Sequence, residues 1–134
     1  MSDGAPPQRT PSVNSGFSVS GRLKSIRHAL AGLGFMLRTQ HNAWLHLAAT
    51  ILAAAAGLAL RIGANDWRWL VVAIVMVWVA EAMNTAFEHL CDVVAPQFHA
   101  SVKLSKDIAA GAVLITALGA AVLGVLVFLP YLGL

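Results

Sequence analysis

An all-helical membrane protein is the fold class this sequence predicts, with three transmembrane helices preceded by an amphipathic surface helix. Three observations carry that expectation. Of 134 residues, 58% are hydrophobic and only 11% charged, against roughly 25% charged in an ordinary soluble domain. The mean hydropathy is positive. Three apolar stretches, residues 44–60, 67–90 and 108–129, are each long enough to cross a hydrocarbon core about 30 Å thick at about 1.5 Å of helix rise per residue.

Residues 1–20 are rich in Ser, Pro and Gly and hold almost no core-forming side chains, so they read as a disordered tail. No apolar run of the signal-peptide kind follows the start. Over residues 21–38, Leu23, Ile26, Leu30, Leu33 and Leu37 recur at steps of three and four, which holds them within about 80° of helical arc. Lys24, Arg27, His28 and Arg38 project elsewhere, the pattern of a basic amphipathic helix lying on a membrane surface or packing against the bundle.

The first span, residues 44–60, is short and alanine-rich; its hydropathy alone would also suit a buried helix of a soluble protein, and the two longer spans decide the reading. Gly63, Asn65 and Asp66 mark a turn after Arg61. Trp67 and Trp69 then suit a membrane interface at the start of the second span. Pro96 ends that helix, and helix resumes near Ser101 and runs into the third span. Gly111, Gly119 and Gly124, interspersed with alanines, would let helices approach closely. Three short spans leave limited room for an enclosed polar site, so self-association is expected, with sites formed between subunits.

Orientation follows from Lys and Arg placement. Arg22, Lys24, Arg27 and Arg38 precede the first span, and Lys103 and Lys106 lie between the second and third, whereas the loop joining the first two has only Arg61 and Arg68. The positive-inside bias puts the N-terminus and the second loop in the cytoplasm. The net charge of +3 belongs to residues beside membrane segments, so attraction to anionic headgroups explains it and nucleic-acid binding is not expected. The single cysteine, Cys91, has no cysteine to pair with.

The candidate chemistry sits late in the second span. Glu81 and Glu88 are the only Glu residues of the chain, and an acid in or beside hydrocarbon costs a few kcal/mol, roughly 3 for Asp at a helix centre. At about 100° per residue, Glu81, Asn84, Thr85, Glu88 and Asp92 fall at about 0°, 300°, 40°, 340° and 20°, on one face. With Trp67 at the outer boundary, Glu81 lies about 21 Å along the helix and about 9 Å short of the inner hydrocarbon edge. Glu88 falls close to that edge and Asp92 beyond it. Such a gradient suits a reaction between a lipid headgroup and a soluble anion. Glu81, the least hydrated, is placed as a general base or proton carrier. Glu88 and Asp92 are placed to hold a divalent cation together with phosphate oxygens. Lys106 would neutralise phosphate charge, and Asp107 would orient that lysine or contact a nucleotide.

Other readings use the same residues. The polar face would hydrogen-bond helices together in a noncatalytic scaffold, or relay protons in a small transporter or channel subunit. No phosphate loop G-x-x-x-x-G-K-[ST] and no protein-kinase signature is present. His99, in the loop after Pro96, would contact a phosphate or simply be solvated. His41, His46 and His89 have no ligand-like spacing, which argues against zinc.

The run Glu81-Ala82-Met83-Asn84-Thr85-Ala86-Phe87-Glu88 with Asp92, then Pro96-Gln97-Phe98-His99, then Lys103, Lys106-Asp107 and Ala109-Ala110-Gly111, resembles the prokaryotic diacylglycerol kinase and undecaprenol kinase family. The resemblance extends from about Gly21 to the C-terminus. It implies a homotrimer that phosphorylates a lipid hydroxyl with ATP and Mg²⁺ at the inner face of the bacterial cytoplasmic membrane. By the same resemblance Glu81 is the catalytic base, Asn84 a polar active-site residue beside the lipid substrate, and Glu88 the metal-binding glutamate. Asp92, Gln97, Phe98, His99, Lys106 and Asp107 fall on the nucleotide side, and His28 near the adenine. The sequence departs from the family at Gln40, where members often carry a Glu that shares the metal. An amide oxygen still coordinates Mg²⁺ but removes a negative charge, so weaker metal affinity is expected. Asn84-Thr85-Ala86 and the Lys106-Asp107 motif resemble the undecaprenol kinase branch more than the enterobacterial diacylglycerol branch.

Overall fold

The computed structural model describes residues 18–133. Four helices follow in order, α1 (Val19–Thr39), α2 (His41–Ala59), α3 (Ala64–Val94) and α4 (Ala100–Phe128), closed by a 3-10 turn (Leu129–Leu132). Of the expected tail, residues 1–17 lie outside the described residues, while Val19 and Ser20 already belong to α1. Ser18 is the reason: its Oγ accepts the Gly21 N–H at 3.3 Å and caps the helix.

One residue separates α1 from α2. Gln40 is extended (φ −106, ψ 116); its N–H donates to Met36 O at 2.9 Å, ending α1, while its side chain makes no cap hydrogen bond to α2. The amide is thereby free to point elsewhere. At the other junction Ala95 leaves the helix (φ −133, ψ 77) directly before Pro96, as the residue before a proline is sterically driven to do.

Three segments, His41–Ala59, Ala64–Val94 and Ala100–Leu132, are long and apolar enough to cross a membrane, and the fold is the all-α membrane protein that the composition predicts. At 31 residues, α3 is about 46 Å long, well beyond the roughly 30 Å of hydrocarbon, so one end of it projects. This helix is central: α4 packs along it, α2 takes another flank, and α1 touches its Pro96 end. Met36 of α1 is buried there, and Phe35 meets His89 with ring centroids 4.9 Å apart.

The opposite end of the bundle holds the apolar cluster Ile62, Leu70 and Val127, with Trp67, Phe128 and Tyr131 around it. Gly57 is required there, because a Cβ would lie 2.9 Å from the Trp67 ring and 3.1 Å from Ile62 Cδ1. The Tyr131 hydroxyl donates to Asp66 Oδ2 (2.5 Å) and accepts the Gly63 N–H (2.8 Å), latching the C-terminal turn onto the α2–α3 turn. The close helix approach expected at Gly111, Gly119 and Gly124 is not made within the chain: a Cβ on any of the three would meet nothing within 4 Å. Gly119 is exposed, whereas Gly111 and Gly124 are half-buried and Gly124 lines a groove shared with α2 and α3.

Candidate active site

The polar face of α3 grades from buried to exposed toward Pro96. Glu81 is 1% exposed, Asn84 and Thr85 are buried, Glu88 is half-buried, and Asp92 is exposed. Thr85 Oγ1 donates to the Glu81 carbonyl at 2.9 Å, so this threonine is satisfied on its own helix and does not reach toward the carboxylates. Glu88 is held from two sides. Asn84 Nδ2 donates to its Oε1 at 3.3 Å from one turn earlier, and Gln40 Nε2 donates to its Oε2 at 3.5 Å from the α1–α2 junction.

Opposite Glu81 stands His46 of α2, with Nε2 3.7 Å from Glu81 Oε2. Both Glu81 oxygens, His46 Nε2 and Asn84 Oδ1 are buried without a hydrogen-bond partner among the described residues. Most buried polar groups in folded chains are paired, so four orphans in one neighbourhood mark a place built for something other than stability. A cavity of about 270 Å³ lies there, lined by Gln40, Asn42, His46, Asn84 and Glu88 with Leu114 of α4 among its apolar walls. A second, apolar groove of about 280 Å³ begins at His46 and runs between α2 and α4 past Ala53, Ala73, Ala120 and Phe128.

Beyond Glu88, Lys106 Nζ bonds Asp92 Oδ1 at 2.7 Å across the Pro96 loop, while Lys103 Nζ bonds Asp107 Oδ2 at 2.7 Å one turn along α4. Asp92, and not Asp107, orients Lys106. Lys106 stands in the first turns of α4, before the apolar run that begins at Ile108. His99 is the N-cap of α4: its Nδ1 accepts the Ser101 N–H at 3.2 Å. Gln97 and Phe98 are exposed in the loop, Phe98 at 84%, and His28 is exposed on α1. Among the described residues no hydrogen bond or ion pair joins His28, Gln97, Phe98, His99 or Asp107 to the Glu81–Glu88 pair.

No group of three or more His, Cys, Asp or Glu side chains among the described residues could hold a metal ion. The donors that are present nonetheless suit a hard cation bound with a phosphate ligand. Glu88 offers one carboxylate, Gln40 an amide beside it, and Asn84 a buried and unpartnered amide oxygen. Mg²⁺ takes one or two protein carboxylates and fills its shell with water and phosphate oxygens.

Spacing along the sequence does not single out His46. Its signal is an imidazole in an alanine-rich span, where an ionisable group is as exceptional as Glu81 in the next helix.

The model of the family described as prokaryotic diacylglycerol kinase matches residues 27–128. An undecaprenol kinase of Bacillus subtilis is 34% identical over 109 residues, covering 81% of this chain and 89% of that protein. A diacylglycerol kinase of Synechocystis sp. is also 34% identical over 109 residues, covering 81% of this chain and 62% of its own length. The matched residues contain the whole of α2, α3 and α4 and every side chain of the buried polar cluster, and the chain belongs to the prokaryotic diacylglycerol kinase family.

Proposed function

We propose that this protein is a lipid kinase that moves the γ-phosphoryl group of ATP, with Mg²⁺, onto the hydroxyl of a membrane lipid at the cytoplasmic face of the bacterial inner membrane. The observation that carries the reading is the Glu81 carboxylate, buried, unpartnered and about two turns of α3 from Glu88. A kinase acting on a lipid hydroxyl needs a proton acceptor within reach of that hydroxyl and a carboxylate nearer the cytosol to hold a metal ion with the phosphates, and α3 carries both acids on one face.

In the transfer, the lipid hydroxyl oxygen bonds to the γ-phosphorus, the bond from that phosphorus to the β–γ bridging oxygen breaks, and ADP leaves. The hydroxyl proton passes to Glu81. Glu88 and Gln40, with Asn84 beside them, would hold Mg²⁺ together with the nucleotide, where it supplies positive charge against the phosphate oxygens. Lys106, aimed by Asp92, adds a second positive charge. Gln97, Phe98, His99 and Asp107, with His28 of α1, form the nucleotide side by resemblance to the family. Lys and Arg placement supports a cytoplasmic N-terminus. A homotrimer fits the exposed Gly119 of α4, where a close neighbour would meet no side chain.

Undecaprenol is the acceptor favoured by the Asn84-Thr85-Ala86 and Lys106-Asp107 motifs, and diacylglycerol is the rival. Purified protein in mixed micelles with labelled ATP, offered each lipid separately, tests both the reaction and the acceptor. Label on neither lipid, with ion or solute flux in proteoliposomes and no ATP use, would favour the transporter reading instead.

A further inference from the structure

Glu81 has a role that its own helix does not equip it for. A base in phosphoryl transfer must keep one oxygen on the attacking hydroxyl, yet neither Glu81 oxygen accepts a hydrogen bond among the described residues. A glutamate side chain with several rotatable bonds does not hold a direction unaided. The atom facing it is His46 Nε2, equally buried and equally unpartnered, 3.7 Å from Oε2. That distance lies beyond a hydrogen bond, and a small side-chain rotation closes it.

The two backbones are fixed independently of this pair. Trp78 Nε1 of α3 donates to Thr50 Oγ1 of α2 at 3.0 Å, and Thr50 Oγ1 in turn donates to the His46 carbonyl at 2.7 Å. Trp78 lies one turn before Glu81 and Thr50 one turn after His46, so this bond sets the register in which the two side chains meet. Thr85 binds the Glu81 carbonyl in the same manner. Both main chains are pinned, and the two side-chain ends remain free to close.

We propose that His46 is a positioning residue for the phosphoryl transfer: its Nε2–H donates to Glu81 Oε2, which leaves Oε1 as the oxygen that takes the lipid hydroxyl proton. The inference rests on Glu81 being the base. The donated hydrogen bond is charge-assisted and directional. It restricts the carboxylate to one presentation beside His46, which itself lines the apolar groove. His46 touches no reacting atom and acts through Glu81.

The test uses the full chain in mixed micelles, with ATP and undecaprenol or diacylglycerol offered separately, and three variants compared on the lipid that the unsubstituted chain phosphorylates: His46→Ala, His46→Phe and His46→Gln. Phe keeps a ring without a donor, and the Gln amide restores an N–H at similar reach. Misplacing a reacting group by about 1 Å costs on the order of 100-fold in rate. Expected results are therefore a kcat lowered by about that factor in His46→Ala and His46→Phe with KM for ATP unchanged, and recovery to within about 10-fold of the unsubstituted chain in His46→Gln. A merely structural histidine would not give this split between Phe and Gln. Unchanged kcat in His46→Ala, or His46→Gln as slow as His46→Phe, overturns the assignment. If His46→Ala does not fold, the Phe and Gln pair decides. Failure of the unsubstituted chain to phosphorylate either lipid would sink the kinase reading itself, whereas an active chain indifferent to all three substitutions refutes only the role of His46.

Discussion

Gln40 Nε2 donates to Glu88 Oε2 at 3.5 Å, joining the one extended residue between α1 and α2 to the late turns of α3. A neutral amide thus stands beside the carboxylate assigned to the metal. Gln40→Glu would place a second carboxylate there, and Mg²⁺ affinity rises with ligand charge. The half-saturating Mg²⁺ concentration for lipid phosphorylation is expected to fall, by about 10-fold if the added charge contributes about 1.4 kcal/mol. In chelator the same variant should melt earlier than the unsubstituted chain, since two like charges then face each other uncompensated. A Mg²⁺ titration of activity that does not move would remove Gln40 from the metal site.

Lys106 is aimed by Asp92 across the Pro96 loop. Lys106→Met should raise KM for ATP by about 10-fold or more while leaving the thermal midpoint nearly unchanged, because exposed ion pairs contribute only about 0–1 kcal/mol to stability. Nucleotide titration alongside thermal melting in detergent separates the two effects.

Gly57 and Trp67 are in direct contact between α2 and α3. A Cβ at Gly57 would lie 2.9 Å from Trp67 Cη2 and 3.0 Å from Cζ2, so Gly57→Ala is expected to destabilise by about 1–3 kcal/mol through overpacking. Trp67→Phe deletes both of those ring atoms. Adding it to Gly57→Ala should recover part of the loss, a coupling readable from the four thermal midpoints.

Tyr131 joins the C-terminal turn to Gly63 and Asp66 through one hydroxyl. Tyr131→Phe removes both bonds and leaves the Gly63 N–H without its partner, for an expected cost of about 1–3 kcal/mol. Since this contact lies at the far end of the bundle from Glu81, kcat should hold while the melting temperature drops.

The fold was legible because apolar run length and two strong local signals, Pro96 and the turn at Gly63, act within a few residues of where they are read. Helical arithmetic also grouped Glu81, Asn84 and Thr85, and these three are the buried polar residues of α3. What it missed depends on register between helices. His46 meets Glu81 through the way α2 lies on α3, the same register that brings Trp78 Nε1 to Thr50 Oγ1. Lys106 meets Asp92 only because the Pro96 loop folds back. The Lys103–Asp107 pair is a different case: its four-residue spacing was readable as a local helix pair and explains why Asp107 is not on Lys106. The glycines of α4 were read as sites of close helix packing, but small size permits a close neighbour without supplying one, and the chain itself supplies none.

The most direct measurement of the central claim is transfer of labelled γ-phosphate to lipid by Glu81→Gln, set beside binding of ATP to the same preparation. A positioned general base contributes about 10²–10⁴-fold to rate. Turnover is therefore expected to fall by at least that range while ATP binds as before. Turnover close to that of the unsubstituted chain would contradict the assignment of Glu81 as the base.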